Sequence, residues 1–333
     1  MAAPGTTTSS RYVLPAVSAE KERLERQYHM TKTIYGWKRP VPNCVDLSGI
    51  TNVIDVATGT GIWSFDMAAH CHSTSRRPVR VYACDINPAI LPSQQATEPW
   101  GIQAFVHNVT TAFPEHLHAK FDLVHMSFLA LCLTESEWEN ALDNCRSLLK
   151  PDGILILKEI DPICLSEDQY DARTRMHNPA LDDLHQYLRG PDWKQLANRF
   201  YTEFALKNEF VVGLSHRLPK MLARAGFALA NSYYAPLAVG SVCRSRVGAT
   251  GLPLAEYDAL TTANLLFILR HTARSMLERG IFPEDLDQGR LEDVFDEVRA
   301  GLDSEGCLVP AFCLVARRSG TQDESVYICT HNV

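Results

Sequence analysis

Apolar positions along the first half of the chain follow two rhythms. From Ser18 to Trp37, residues Leu24, Tyr28, Lys32 and Tyr35 recur three or four apart, so they share one face of a predicted helix. The segment KRPVPN (38–43) stops it, since proline removes a donor and biases its predecessor towards extended backbone. Beyond it, apolar runs alternate with helical patterns. NVIDVA (52–57), VRVYACD (79–85), IQAFVH (102–107), FDLVHM (121–126) and PDGILILKEI (151–160) read as five strands, the last preceded by a turn. Ile62 to Ala69 reads as a helix, and Thr134 with Glu137 as the capping box of another that runs through Leu149. The strands are rich in Val, Ile and Leu with little alternation, as expected when helices cover both faces of a parallel sheet.

The second half is more helical. Ser166 to Ala225 ends in SHRLPKMLARAGF (215–227), where Gly226 terminates a helix before the strand FALANSYYAPL (227–237). Helices follow from about Leu254 to Arg279 and from Leu291 to Leu302, and CLVPAFCLVARR (307–318) is a last strand. Seven strands with this alternation predict a doubly wound, Rossmann-like α/β fold. No repeat or linker divides it. The expected organisation is a frayed tail (1–17) and one domain (18–333). Within that domain lie an amino-terminal lid helix (18–40), a nucleotide-binding core (50–162), a helical ligand-binding region with one strand (163–280), and a closing helix and strand (290–318).

Composition narrows the function classes. Thirty-two basic against 39 acidic residues leave a net charge of −7, which speaks against a general nucleic-acid binder. Ten cysteines without any C-x-x-C pair read as reduced thiols. In HCH (70–72) and HLH (116–118) the histidines alternate and diverge, so no metal site is expected. The start lacks a basic segment followed by an apolar one, and the longest late apolar patch, NLLFIL (264–269), is too short to span a bilayer. The expectation is a soluble, cytoplasmic protein without membrane or nucleic-acid partners; the sequence gives no sign of oligomeric state.

The stretch TNVIDVATGTGIWSFDMAAH (51–70) carries the chemistry. Asp55 ends the first strand, Gly59 and Gly61 allow close backbone approach, and Asp85 ends the second strand, where a carboxylate can accept two hydrogen bonds from a ribose diol. A Walker loop needs a Lys before Ser or Thr, which is absent. In a G-x-G-x-x-G count from Gly59 the third small position is Ser64, but Asp55 beside the turn would repel a pyrophosphate. The same carboxylate suits a phosphate-free ligand with a cationic end, such as S-adenosylmethionine.

VIDVATGTGIW, VYACDINPAILP, FVHNVTTAFP, FDLVHMSF and LLKPDGILILKEID resemble the successive motifs of class I S-adenosylmethionine-dependent methyltransferases, over about Glu20 to Ile160. LPKMLARAGF and the last strand are also similar. GTGIW, FDLVHM and ERLERQYHM resemble, more narrowly, fungal secondary-metabolism methyltransferases, a group that includes LaeA-like regulators. The resemblance implies that Asp55, Ala57, Thr58, Gly59 and Gly61 line the methionine end of the cofactor. Asp85 would hold the ribose and Ile86 would pack on adenine. Asn108, with Val109, stands where the family often has an acidic residue reading the adenine amino group, and its amide oxygen can accept that bond. Ala57 replaces the usual first glycine, which requires only a conventional backbone angle there. Trp63, Met126 and Ser127 are expected beside the cofactor.

For catalysis, His125 is the first candidate general base, being at the carboxyl end of the fourth strand and titrating in a useful range. Its alternative is to face the core or pack on the cofactor. Glu159 is the second, its alternative a structural carboxylate paired with a base. Tyr28, His29 and Trp37 are candidate acceptor contacts on or beside the lid helix. His177, Asn178 and His185 sit in the acceptor region or on a solvated face; Tyr233 and Tyr234 read as strand packing. The function expected is methyl transfer to a small molecule, with O-methylation of a fungal secondary metabolite the leading case. Other readings are a LaeA-like regulator or scaffold, a protein methyltransferase, a cofactor-retaining enzyme that transfers no methyl and, more remotely, a nicotinamide oxidoreductase.

Overall fold

The structure, a computed structural model, describes residues 18–74, 78–175, 188, 190, 192–282, 288–319 and 329–332. Its spine is one eight-stranded sheet in the order β3-β2-β1-β4-β5-β7-β6-β8. The strands are β1 Asn52–Val56, β2 Arg80–Asp85, β3 Ile102–Val106, β4 Phe121–Ser127, β5 Leu149–Ile160, β6 Phe227–Val239, β7 Cys307–Arg318 and β8 Cys329–Asn332. The first five pair in parallel, and β7 runs antiparallel between β5 and β6. The seven expected strands are present, and β8 extends the edge by pairing in parallel with β6. Because β1 neighbours both β2 and β4, the chain reverses its winding there and opens a crevice beyond the strands' carboxyl ends.

The helices are α1 Ser18–Tyr35, α2 Ile62–Thr74, α3 Gln94–Thr97, α4 Glu135–Leu148, α5 Glu167–Arg175, α6 Trp193–Lys207, α7 Leu214–Arg224, α8 Asp258–Glu278 and α9 Leu291–Ser304. Strand residues alternate between two cores. Val53, Leu123, Ile154 and Ile156 face the core shared with α1 and α2, whereas Ile54, Val124, Met126, Leu155 and Leu157 face the one shared with α4 and α7. The Thr134–Glu137 capping box is present at α4, the Thr134 hydroxyl accepting from the Glu137 amide while the Glu137 carboxylate accepts from the Thr134 amide. At the opposite end of the sheet from the crevice, Asp122 accepts from the Thr51 and Asn52 amides and pairs with Lys150 at 2.6 Å. This pins β1 and β4 side by side.

Candidate cofactor and acceptor site

The turn between β1 and α2 is held from the neighbouring strand β2. The Thr58 amide donates to the Cys84 carbonyl at 2.9 Å, and the Gly59 amide donates to the Asp85 carboxylate at 2.9 Å. Ala57, Gly59 and Gly61 all have positive φ, at 55°, 56° and 77°. The expectation of a conventional angle at Ala57 is therefore corrected: the residue standing in for the first glycine keeps the glycine's conformation. A left-handed alanine costs about 1–2 kcal/mol, against about 0.5–1 kcal/mol of extra chain entropy for glycine. An Ala57→Gly protein should thus be as stable as the parent or up to about 1 kcal/mol more stable by urea unfolding. A clear loss would mean that the methyl group makes contacts worth more than the strain.

Asp55 is 2% exposed and is the hub of a buried network. One carboxylate oxygen accepts from the Thr58 hydroxyl at 2.5 Å and the Ser64 hydroxyl at 3.0 Å, and the other takes His125 Nδ1 at 2.7 Å. His125 is equally buried, its ring stacked on Trp63 with centroids 4.2 Å apart, and the Trp63 indole N–H donates to the Pro40 carbonyl. Burial lowers the imidazole's proton affinity despite the adjacent Asp55 charge. His125 is thus placed to orient Asp55 and is not among the residues lining the cavity, which speaks against the general-base role expected for it. Trp63 backs His125. Met126 and Val109 point into the opposite core, away from the turn, because strand parity separates Met126 from His125.

Asp85 ends β2. Its second oxygen accepts from the Asn87 amide at 2.9 Å, and burial raises its pKa, with the Asn87 and Gly59 amides opposing the rise. Ile86 beside it is 49% exposed, an apolar platform open to a ligand face. The Asn108 side-chain oxygen takes both the Thr110 amide and hydroxyl at 3.0 Å. What Asn108 has to offer is its NH2 group, a donor, which reverses the expected polarity of that contact.

Glu159 is fully buried, and its two oxygens accept the Leu129 and Ala130 amides at 2.7 and 3.0 Å. These amides lie between Phe128 and Leu131, both with left-handed φ near 60°. The expected partner was a basic side chain or a reacting group; the observed role is to clamp a strained loop that forms a wall of the cavity. Desolvation pushes the Glu159 pKa up to about 8, opposed by those amides. The native state therefore binds this proton more tightly than the unfolded chain, so its contribution to stability falls as pH rises from about 4.5 through about 8. A Glu159→Gln protein should lose that slope. The stability difference between parent and variant should shift by roughly 3–5 kcal/mol across the window, read by urea unfolding at several pH values.

The sequence reading missed Lys158, although a lysine inside ILILKEI was a visible signal. Its ammonium is buried between the rings of Tyr28 and Phe128, each 5.2 Å away, and lies 3.4 Å from the Thr31 hydroxyl. Burial lowers its pKa to about 8.

Between α1, the loop after β4, α8, the carboxyl ends of β5 and β6 and the amino end of β7 lies an apolar cavity of about 160 Å3, or about 1140 Å3 with its open mouth included. On α1 the wall residues are Arg23, Leu24, Gln27 and Met30. Leu24 also faces the glycine turn: a Cβ on Gly59 would stand 3.6 Å from its Cδ1, so cavity and turn adjoin. The three expected acceptor contacts lie elsewhere. Tyr28 is buried and donates to Asp66 of α2, which also pairs with Lys32, latching α1 down. His29 is exposed, and Trp37 stacks on Tyr35 at 4.5 Å. The helical face predicted from Leu24 and Tyr28 does turn inward, but only Leu24 reaches the cavity. Ser127 is half-buried at the end of β4, in register with Lys158. Tyr233 packs against Trp37 and Tyr234 against Phe312, as strand packing. His177, Asn178 and His185 lie outside the described residues.

Residues 53–153 match the methyltransferase-domain family. The methyltransferase grgD of a Penicillium species is 32% identical over 155 residues, 46% of this chain and 53% of that protein. The N-methyltransferase gliN of Aspergillus fumigatus is 23% identical over 63% of this chain and 75% of its own length. The secondary metabolism regulator LAE1 of Gibberella fujikuroi is 26% identical over 47% of this chain and 46% of its own. The match thus spans about half the length of the first and third of these relatives. No described helix is long and apolar enough to cross a membrane.

Proposed function

We propose that the protein, whose residues 53–153 match the methyltransferase-domain family and which is similar to a fungal methyltransferase, transfers a methyl group from S-adenosylmethionine to a small molecule held in the apolar cavity. The observation that carries this reading is the contact of cavity and turn at Leu24. A recessed apolar space of this kind suits a compact metabolite better than a polypeptide strand, which needs a long open groove.

The residues at the turn fit the cofactor. Thr60 Oγ1 is buried with no hydrogen-bond partner, and the position of a Cβ on Gly59 is open apart from Leu24. Asp85 would hold the ribose hydroxyls, Ile86 would cover adenine, and the buried Asp55 network would set a negative field at the methionine end. When bound, this cofactor supplies a methyl carbon already activated by sulfonium. The chain's own residues then align the acceptor and exclude water, so proximity and orientation carry much of the rate. Leu24 and Met30 close the space from above, and the loop clamped by Glu159 fixes the facing wall.

The preference for an oxygen acceptor rested on a histidine base, and that support is gone. Among the described wall residues none is poised to take a hydroxyl proton: burial raises Cys132 to about 12, and Arg23 is paired with Glu20. We therefore favour a neutral nitrogen, whose lone pair attacks without prior deprotonation and whose proton leaves to water after transfer. The test is incubation with methyl-labelled S-adenosylmethionine and matched neutral aromatic amines and phenols, with S-adenosylhomocysteine counted alongside. Label on the amine supports the reading. Label on the phenol overturns the nitrogen assignment, and label on protein alone overturns the small-molecule one.

A further inference from the structure

Resting on that reading, we propose that Asn264 is the residue that selects the acceptor, and that the acceptor is an uncharged, largely apolar molecule presenting an amide-like edge to it. On α8, residues Thr261, Asn264, Leu265, Ile268 and Thr272 form one helical stripe along the cavity. The polar groups on the wall are nearly all spent. Arg23 donates twice to the buried Glu20 and once to Gln27 Oε1. Thr261 accepts from the Gly240 amide and donates to the Asp258 carbonyl, Thr272 donates to the Leu269 carbonyl, and the Tyr201 hydroxyl donates to the Leu265 carbonyl.

Asn264 is half-buried on this wall, and its side chain has no hydrogen-bond partner among the described residues, so its carbonyl oxygen and NH2 group are both open to a ligand. Gln27, whose oxygen is taken by Arg23, adds on α1 an NH2 donor with no partner among the described residues. The two helices meet at this end of the cavity, where the Arg23 guanidinium lies 6.0 Å from the Phe267 ring, one turn along α8 from Asn264. An acceptor covering Asn264 without matching it would strand a donor and an acceptor in an apolar space, which is costly. A group carrying both a carbonyl and an N–H matches it. A carboxylate finds its only wall cation among the described residues already neutralised by Glu20, and an ammonium finds no wall carboxylate.

The test titrates naphthamide, naphthoate, naphthylmethylammonium and naphthalene into the full chain by calorimetry, with and without S-adenosylhomocysteine. These probes share one apolar body and differ only in the polar group. Naphthamide should bind about tenfold tighter than each of the others. In Asn264→Leu its affinity should fall to that of naphthalene, while naphthalene itself binds as before, which shows the fold intact. Equal or tighter binding of either ion, an undiminished amide preference in Asn264→Leu, or no binding by any probe would each overturn the proposal. Loss of S-adenosylhomocysteine binding, measured separately, bears on the methyl-transfer reading instead.

Discussion

An Asp85→Ala protein is expected to bind S-adenosylmethionine at least about a hundredfold more weakly than the parent while remaining folded. Two hydrogen bonds from a ribose diol to an ionised carboxylate contribute roughly 1.5–3 kcal/mol each, and every 1.4 kcal/mol is about tenfold in affinity. The same carboxylate accepts from the Gly59 and Asn87 amides, so its removal also loosens the turn on which the ligand sits. Both effects act in one direction. Burial raises the Asp85 pKa, so affinity in the parent should begin to fall on acidification at a higher pH than an ordinary aspartate would give, and the variant should lack this dependence. Titration calorimetry across pH, with circular dichroism as the folding control, checks both points. Undiminished affinity would remove Asp85 from the site.

Replacing Asp55 with alanine should be the most destabilising single change at the site, costing about 3–5 kcal/mol by urea unfolding. Its carboxylate satisfies the Thr58 and Ser64 hydroxyls and the His125 ring at once, and all four groups are buried. Without it three donors are stranded under α1, where water has little access. His125→Ala should cost less, because it leaves Asp55 with two of its three side-chain partners, although Trp63 loses its stacking surface. If His125→Ala abolished turnover with stability and cofactor affinity intact, the orienting role assigned to it would be wrong.

Much of the fold was legible because burial on both sheet faces writes itself into unbroken Val/Ile/Leu runs, and because Thr134 and Glu137 signal a helix start locally. β8 was not: Cys329–Asn332 is four residues without a pattern, and only its pairing with β6 makes it a strand. β5 begins at Leu149, ahead of the expected turn, since Asp152 adopts left-handed φ within the strand's irregular first residues. At the site, residue types at the ends of β1 and β2 foretold the positions of Asp55 and Asp85. Their partners were not foretold. That His125 faces Asp55 and Met126 faces away follows from parity only once the face carrying α1 is known, and sequence does not give the face. Ala57 adopting the conformation of a glycine, Glu159 holding two backbone amides and Asn264 left unmatched are all consequences of packing between segments distant in the chain.

On the function proposed, the glycine turn between Asp55 and Asp85 receives a sulfonium nucleoside and no pyrophosphate. Parallel calorimetric titrations of the full-length chain with S-adenosylmethionine and with NAD test it most directly. One-to-one binding of the first, weakened in Asp85→Ala, with no heat from the second, is the result predicted here. Saturable binding of the dinucleotide with none of the sulfonium compound would contradict it.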